Sequence, residues 1–287
     1  MQTRTTFQHW LEYAGFRLVA GLFSILPLEL SSRFGGWLWR RIAPHDRRHR
    51  RALENLGLAY PDMTLAQREA IARDMWDNLG RVFAESFHLT EIVDSGRVHI
   101  DADSVALMPM DRRFVAAAPH QGNWELGAAV LRITGGSAGG IYQRLKNPLV
   151  DDYARKLRAP FYPGGLWPKQ SAAGRRALKH LRNGGVLATM ADLRDSDGMN
   201  VPFFGRPAPS STFPALAARV TGAPLLAVEI VRLPGVRFQV SLRQVPVLQS
   251  GDRNADIEAA TRALHEQFET SIRRQPAQWM WASRRWG

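Results

Sequence analysis

The chain of 287 residues contains no cysteine, and this absence excludes disulfides, thiolate catalysis and cysteine-based zinc sites. It contains neither the G-x-x-x-x-G-K-[ST] phosphate loop nor the G-x-G-x-x-G dinucleotide pattern, so a nucleotide cofactor has no support. The first residues lack a short apolar core followed by a small-residue cleavage site. We therefore expect no secretory signal.

A long uncharged apolar run is also missing. In the apolar N-terminal segment, the longest stretch without a charged residue, Leu18–Leu28, has 11 residues, whereas a membrane-spanning helix needs about 20. The flanking residues are nevertheless apolar and tryptophan-bearing, and Pro27 would end or kink a helix. We expect residues 1–45 to form an N-terminal apolar, membrane-associated segment lying in one leaflet, followed by a principal domain at 46–287. The alternatives are a spanning helix with Arg17 at the interface and an ordinary buried N-terminal helix.

Lysine is scarce, although the net charge is +12. The basic residues are mostly arginines, whose planar guanidinium groups bind phosphate bidentately, so an anionic partner is one interpretation. A coding bias toward arginine is the other. Anionic lipid attracts basic residues near its surface by about 1 kcal/mol each. A cluster that follows the apolar segment consists of Arg40, Arg41, Arg47, Arg48, Arg50 and Arg51. This cluster favours membrane contact.

Short β-compatible apolar runs alternate with helical stretches in the second half of the chain. The predicted strands are Phe114–Ala118, Gly140–Gln143, Val186–Ala191 and Leu225–Val231. The predicted helices are 126–133, 149–157, 172–181, 213–220 and 256–272. This alternation predicts an α/β fold with a mainly parallel central sheet flanked by helices. Because apolar and polar residues alternate in Arg237–Arg243, that segment is predicted to be a half-exposed antiparallel edge strand.

The most informative motif is His120-Gln-Gly-Asn-Trp-Glu125, which follows the first predicted strand. On one continuous helix, side chains five residues apart would point about 140° apart. They can meet only if His120 lies in a turn and Glu125 in the first helical turn, with Asn123 as the N-cap. Glu125 would then accept one ring N–H and leave the other nitrogen as a general base. The alternative is a purely structural His–Glu hydrogen bond.

Polar residues follow three of the predicted strands. His120 follows the first, Tyr142–Pro148 the second and Asp192–Arg194 the third. In open parallel sheets, ligands bind outside the carboxyl ends of the strands. The three segments are therefore predicted to converge on one rim, and this convergence favours the catalytic interpretation of His120.

Together the motifs resemble those of the lipid A biosynthesis late (lauroyl or myristoyl) acyltransferases, within the glycerolipid acyltransferase superfamily marked by His-x4-Asp/Glu. The resemblance runs along nearly the whole chain. It rests on Asn55-Leu56, Tyr60-Pro61, His120–Glu125, Tyr142–Pro148, Arg158, Asp192, Val201–Gly205, Thr221–Pro224 and Arg284–Trp286. It implies a glycerolipid-acyltransferase-like fold, with an acyltransferase domain at 46–287.

The resemblance implies an O-acyltransferase that moves a fatty acyl chain from acyl carrier protein to a hydroxyl of an acylated lipid A precursor, in lipopolysaccharide biosynthesis. His120 would be the general base and Glu125 the group that orients it. The expected substrate-binding residues are Arg158, Asp192, Asn123 and Arg144, and backbone N–H groups near Gly122-Asn123 are candidate oxyanion donors.

No metal and no cofactor are implied beyond the acyl carrier protein co-substrate. The expected partners are acyl carrier protein, the lipid A precursor and inner-membrane lipid, with no nucleic acid, and the expected location is the cytoplasmic face of the inner membrane. The alternatives are a glycerophosphate or lysophospholipid acyltransferase, and a non-catalytic basic protein that binds membranes.

Overall fold

In the computed structural model, the described residues are 5–111, 113–169 and 172–286. The helices are α1 (Phe7–Ile25), α2 (Leu28–Ile42), α3 (Arg47–Ala59), α4 (Leu65–Glu85), α5 (Leu89–Asp94), α6 (Ala102–Ala106), α7 (Ala129–Thr134), α8 (Pro148–Arg158), α9 (Ala173–Arg182), α10 (Phe213–Thr221) and α11 (Arg253–Arg274). The strands are β1 (Val98–Ile100), β2 (Val115–Ala118), β3 (Ala138–Tyr142), β4 (Gly165–Pro168), β5 (Val186–Met190), β6 (Arg194–Phe203), β7 (Arg206–Ser210), β8 (Leu225–Leu233) and β9 (Arg237–Val245).

Two helices rather than one form the N-terminal apolar segment. The helix α1 begins with a capping box between Thr6 and His9 and ends before Pro27, whose missing N–H is tolerated only at a helix start. Within the described part of the chain, no helix has the length and apolar character needed to cross a bilayer. The division at residue 45 stays a prediction, and residues 1–4 of that segment lie outside the described residues.

The helix α2 is held against α4 by close contact between glycines. A Cβ on Gly80 would collide with the backbone oxygen of Gly35, and a Cβ on Gly36 would collide with the side chain of Asp77. Small residues at a helix crossing let the two backbones approach closely. Next to this crossing, the Ser32 hydroxyl donates to Glu85 at 2.6 Å, so α2 is also tied to the C-terminal end of α4.

A seven-stranded sheet in the order β1-β9-β8-β2-β5-β3-β4 forms the centre of the molecule. Its strand pairs are parallel except β8 with β9. Side chains of successive strand residues point to opposite faces, and β2 feeds a separate core on each face. Val115 and Ala117 pack with α10 and α11, whereas Ala116 and Ala118 pack in a cluster with Leu28. The predicted α/β architecture with a mainly parallel sheet is therefore confirmed.

Two details of the prediction are wrong, and one small sheet was missed. The strand β9 is not at the edge, because the three-residue strand β1 pairs with it on the outer side. The predicted helix 126–133 is divided into a 3₁₀ turn, Trp124–Gly127, and the short helix α7. The antiparallel pair β6 and β7 forms a separate two-stranded sheet that was not predicted. Prolines at Pro202, Pro207 and Pro209 hid this pair, since proline is unfavourable in most strands.

Candidate active site

His120 and Asp192 meet at the carboxyl edge of the sheet. The strands β2 and β5 are parallel neighbours with Ala118 opposite Met190, so residues two positions beyond each strand lie side by side. The Nδ1 nitrogen of His120 is 2.7 Å from Asp192 Oδ1, and the backbone N–H of His120 donates to Oδ2 at 2.8 Å. Because an ionised carboxylate only accepts hydrogen bonds, Nδ1 carries the proton and Nε2 is the basic nitrogen.

Asp192 is an enclosed carboxylate beside a partly accessible imidazole. Its side chain has no exposed surface, whereas that of His120 is 17% exposed. Burial opposes ionisation of Asp192, but the charge and hydrogen bonds of His120 and the indole of Trp279 outweigh it, so the pKa of Asp192 lies below its ordinary value. The carboxylate is therefore ionised at neutral pH and available to stabilise an imidazolium.

Glu125 does not hold the imidazole as predicted. Its two oxygens accept from Nε and Nη2 of Arg158, each at 2.6 Å, so the pair is bidentate. Burial disfavours the charge on Arg158, but the Glu125 carboxylate outweighs this and raises the pKa of Arg158. The structure corrects the predicted pairing: Asp192 is the carboxylate on His120 Nδ1, and Glu125 joins the 3₁₀ turn to α8.

The segment between His120 and Glu125 is a tight turn, as predicted. Gly122 has a φ of +61°, and a Cβ there would collide with the backbone oxygen of Ile230, so only glycine fits. Asn123 caps the following turn through a 3.2 Å hydrogen bond from the Glu125 N–H. The Trp124 ring then stands edge-on to the imidazole, with centroids 5.3 Å apart. The turn therefore presents the imidazole in a restricted orientation.

The backbone donors predicted near Gly122-Asn123 are not accessible to a substrate. The Gly122 N–H donates to Gln278 O at 3.0 Å, so this group is already engaged. The Asn123 side chain is fully buried and donates to Glu85 at 2.8 Å. Because the whole of Asn123 has no exposed surface, the predicted contact with substrate is contradicted for its side chain and for its backbone N–H alike.

The other three predicted substrate-binding residues, Asp192, Arg158 and Arg144, lie in different surroundings. Asp192 has no exposed surface, so it cannot touch substrate directly and acts through His120. Arg158 spends two nitrogen donors on Glu125. Arg144 is exposed on the loop between β3 and α8, and in the described part of the chain no hydrogen bond or ion pair joins it to His120 or Asp192. Among the residues that the structure describes, no group of three or more His, Asp or Glu side chains is arranged to hold a metal ion.

A buried ionic network behind the turn was missed from the sequence. Glu85 is fully buried and pairs with both terminal nitrogens of Arg232, at 2.5 and 2.8 Å. Asn78 accepts from Arg232 Nε at 2.8 Å and donates to Gly122 O at 3.0 Å. These contacts connect α4 and β8 to the turn that carries His120. An isolated Glu on an amphipathic helix carries no signal of such a role, because its partner lies 147 residues away.

The residues of the C-terminal tail were also missed. Trp279 is 1% exposed, and its indole N–H donates to Asp192 Oδ2 at 2.7 Å. The signal was the density of aromatic and basic residues in residues 278–286, of which only Arg284–Trp286 contributed to the resemblance. A partly accessible histidine oriented by a buried carboxylate is suited to removing a proton from a hydroxyl.

A family model described as bacterial lipid A biosynthesis acyltransferase matches residues 2–287 of this chain. The chain is similar to a phosphatidylinositol mannoside acyltransferase of Mycobacterium tuberculosis, with 31% identity over 230 residues, covering 73% of this chain and 68% of the relative. It is also similar to a lipid A biosynthesis acyltransferase of Haemophilus influenzae, with 24% identity over 289 residues, covering 96% of this chain and 86% of the relative.

Among solved structures, the chain is similar to the 1-acyl-sn-glycerophosphate (LPA) acyltransferase PlsC from Thermotoga maritima. The sequences are 19% identical and the TM-score is 0.40, and the match covers 81% of this chain and 99% of that chain.

Proposed function

The chain belongs to the bacterial lipid A biosynthesis acyltransferase family, and we propose that it transfers a fatty acyl chain from acyl carrier protein to a hydroxyl of an acylated lipid A precursor. The observation that carries this proposal is the 2.7 Å contact between His120 Nδ1 and the buried Asp192 carboxylate. It leaves Nε2 of a partly accessible imidazole as a base of fixed tautomer.

In the proposed reaction, His120 Nε2 removes the proton from the acceptor hydroxyl while Asp192 stabilises the imidazolium that forms. The new alkoxide attacks the thioester carbon, and the developing oxyanion requires hydrogen-bond donors at the site. The carbon–sulfur bond then breaks. The imidazolium returns its proton to the leaving thiolate, so the products are an ester and free carrier protein.

In this proposal Arg158 holds Glu125 and, through it, the 3₁₀ turn. The remaining terminal nitrogen, Nη1, would bind an anionic group of the substrate. Arg144 is exposed close to the α1 surface, because Asn147 on the same loop donates to His9 O and to Glu12 on α1, at 2.8 and 3.0 Å. We place Arg144 against the phosphorylated headgroup of the acceptor lipid, since guanidinium groups bind phosphate bidentately.

A lipid acceptor requires that the enzyme reach a membrane. The helices α1 and α2 expose large apolar side chains, which include Phe7, Trp10, Leu11, Leu18, Leu22, Ile25, Leu30 and Trp37. Exposed Arg40 and Arg41 follow them. An apolar face bordered by arginines suits an anionic leaflet. We therefore propose that α1 and α2 lie on the cytoplasmic face of the inner membrane.

A second acceptor is suggested by the mycobacterial relative, which is named a phosphatidylinositol mannoside acyltransferase. The chemistry at His120 would be the same, since both acceptors offer a hydroxyl on a glycolipid. The two candidate functions therefore predict different acceptors for the purified enzyme.

The test is an acyl-transfer assay with radiolabelled lauroyl-acyl carrier protein and either an acylated glucosamine disaccharide or phosphatidylinositol mannoside as acceptor. We expect label in the disaccharide, and a loss of about 10²–10⁴-fold in His120→Ala. The control is His99→Ala, which changes an exposed histidine on β1. Label only in the mannoside would replace the proposed acceptor, and full activity in His120→Ala would overturn the assignment of the base.

A further inference from the structure

The C-terminal tail, residues 278–286, folds back along the turn that carries His120. Gln121 and Trp279 form an antiparallel bridge. On either side of the bridge, the Met280 N–H donates to His120 O at 3.1 Å and the Gly122 N–H donates to Gln278 O at 3.0 Å. The tail is therefore paired with the turn as a short extra strand, and side chains from it can reach the carboxylate behind His120.

Trp279 uses this position to contact Asp192. Its indole N–H is 2.7 Å from Oδ2, the same oxygen that accepts the His120 backbone N–H at 2.8 Å. The indole is itself locked by edge-on contacts with Phe203 and Trp281, with centroids 5.7 and 4.6 Å away. The carboxylate thus has its Oδ2 fixed by two donors, and Oδ1 is left facing the imidazole.

Three further groups determine the charge around Asp192. His120 faces it from the turn after β2, Arg285 from the tail and His265 from α11. Burial lowers the pKa of Arg285 to about 10, against the opposing effect of the Asp192 charge, so Arg285 is a cation at neutral pH. Burial and the nearby Arg285 lower the pKa of His265 to about 4, so His265 is neutral there.

We propose that Trp279 is a positioning residue for acyl transfer: its indole N–H holds the Asp192 carboxylate in the plane in which Oδ1 accepts from His120 Nδ1. This proposal rests on the proposed function of the His120–Asp192 pair. Without the indole N–H, the carboxylate can rotate about its Cβ–Cγ bond, and the imidazole is held in its reactive orientation for a smaller fraction of the time. Substrate contacts are unchanged, because Trp279 is 1% exposed.

The test compares Trp279→Phe with Trp76→Phe. Trp76 is the matched control, because it is also buried and its indole also donates to a side chain, His49 Nδ1 at 3.0 Å. We expect Trp279→Phe to lower kcat about tenfold, the size of one lost hydrogen bond to a charged group, with KM for both substrates unchanged. The acid limb of the rate profile should move to higher pH, since a lost donor raises the pKa of Asp192 and the pair retains its proton longer.

Asp192→Asn, measured in parallel, separates the two proposals. If Asp192→Asn is inactive while Trp279→Phe matches Trp76→Phe in kcat and pH profile, the role of Trp279 is refuted and the pair stands. If Asp192→Asn retains wild-type turnover, the proposed function of the pair is itself refuted.

If Trp279→Phe does not fold, a closer isostere of tryptophan provides the test. Benzothienylalanine at position 279 has sulfur in place of the indole N–H and preserves the ring size. A tenfold lower kcat in this variant, together with weakening of the far-downfield Nδ1–H proton resonance of His120, supports the proposal. Wild-type kcat and an unchanged resonance would overturn it.

Discussion

At the residue scale, the proposed chemistry depends on a carboxylate that water cannot reach. Asp192 accepts from the His120 ring, the His120 backbone and the Trp279 indole, so its orientation is fixed before substrate arrives. A preorganised acceptor does not have to reorient when the imidazole becomes charged. The His120 side chain is 17% exposed, and in the proposed reaction the acceptor hydroxyl approaches this accessible part of the ring.

His265 provides a pH prediction at this scale. Its pKa is lowered to about 4 by burial, against about 6.5 in the unfolded chain. Between these values the unfolded state binds a proton that the folded state does not. The free energy of unfolding should therefore be unaffected above about pH 6.5 and fall by roughly 3 kcal/mol as the pH drops to about 4.

Urea unfolding of the wild type and His265→Gln at a series of pH values measures this contribution as a difference between the two proteins. The control His45→Gln, which changes an exposed histidine, should follow the wild type. Parallel curves for wild type and His265→Gln between pH 6.5 and 4 would show that His265 titrates normally.

The sequence predicted His120 as the base but assigned its partner wrongly. His-x4-Glu is visible in one short segment, whereas the observed partner lies 72 residues away. The carboxyl ends of the predicted strands bring Asp192–Arg194 to the same edge as His120, but they do not determine which side chains meet. That depends on the adjacency of β2 and β5 and on the register of Ala118 with Met190, and neither is encoded in local periodicity.

At the element scale, the Glu125–Arg158 pair joins the 3₁₀ turn to α8. Both partners are largely shielded, and their two hydrogen bonds are 2.6 Å long. A double-mutant cycle with Glu125→Gln and Arg158→Gln should therefore give a coupling energy of about 1–3 kcal/mol in thermal or urea unfolding.

The exposed pair Asp152–Arg155 on the same helix is the matched control, and we expect its coupling to be about 0–1 kcal/mol. Equal coupling in the two cycles would mean that the bidentate pair does not stabilise the turn.

The glycine contact between α2 and α4 gives a second prediction at this scale. Gly80→Ala places a methyl group against the backbone of Gly35, and we expect the free energy of unfolding to fall by about 1–3 kcal/mol. Gly21→Ala in α1 is the control, because a Cβ there meets nothing within 4 Å. It should raise helix stability by about 0.5–1 kcal/mol. Similar effects of the two substitutions on thermal unfolding would argue against a tight crossing.

Elements with strong local signals were predicted well. The helix predicted at 256–272 is the core of α11, which Asp252 caps at its start. Elements without such signals were missed, including β1 with three residues and β4, which contains Gly165 and Pro168. These strands form because a neighbouring strand is present, so their formation depends on tertiary pairing rather than on the local sequence.

At the scale of the whole molecule, the exposure of the apolar face of α1 and α2 is not explained by packing within the protein. Leu18 and Ile25 are 78% and 79% exposed, although a soluble protein rarely exposes a large contiguous apolar patch. We expect the Leu18→Glu, Ile25→Glu double variant to lose binding to vesicles containing anionic phospholipid in a flotation assay, because burying two carboxylates in the leaflet is unfavourable.

The control for this measurement is Leu248→Glu, which changes an exposed leucine outside α1 and α2 and should still float with the vesicles. Unchanged flotation of the double variant would place the membrane contact elsewhere. The predicted membrane association of residues 1–45 is tested directly by this comparison, whereas the family resemblance drawn from the ordered motifs is already confirmed by the match over residues 2–287.

The most direct test of the account is the rate of acyl transfer by Asp192→Asn compared with Glu125→Gln, with lauroyl-acyl carrier protein as donor. If Asp192 orients His120, Asp192→Asn lowers kcat by about 10²–10⁴-fold with little change in KM. Glu125→Gln, which disturbs the turn only through Arg158, should have a much smaller effect on kcat. The opposite order, with Asp192→Asn within a few-fold of wild type and Glu125→Gln inactive, would contradict the assignment of the catalytic pair.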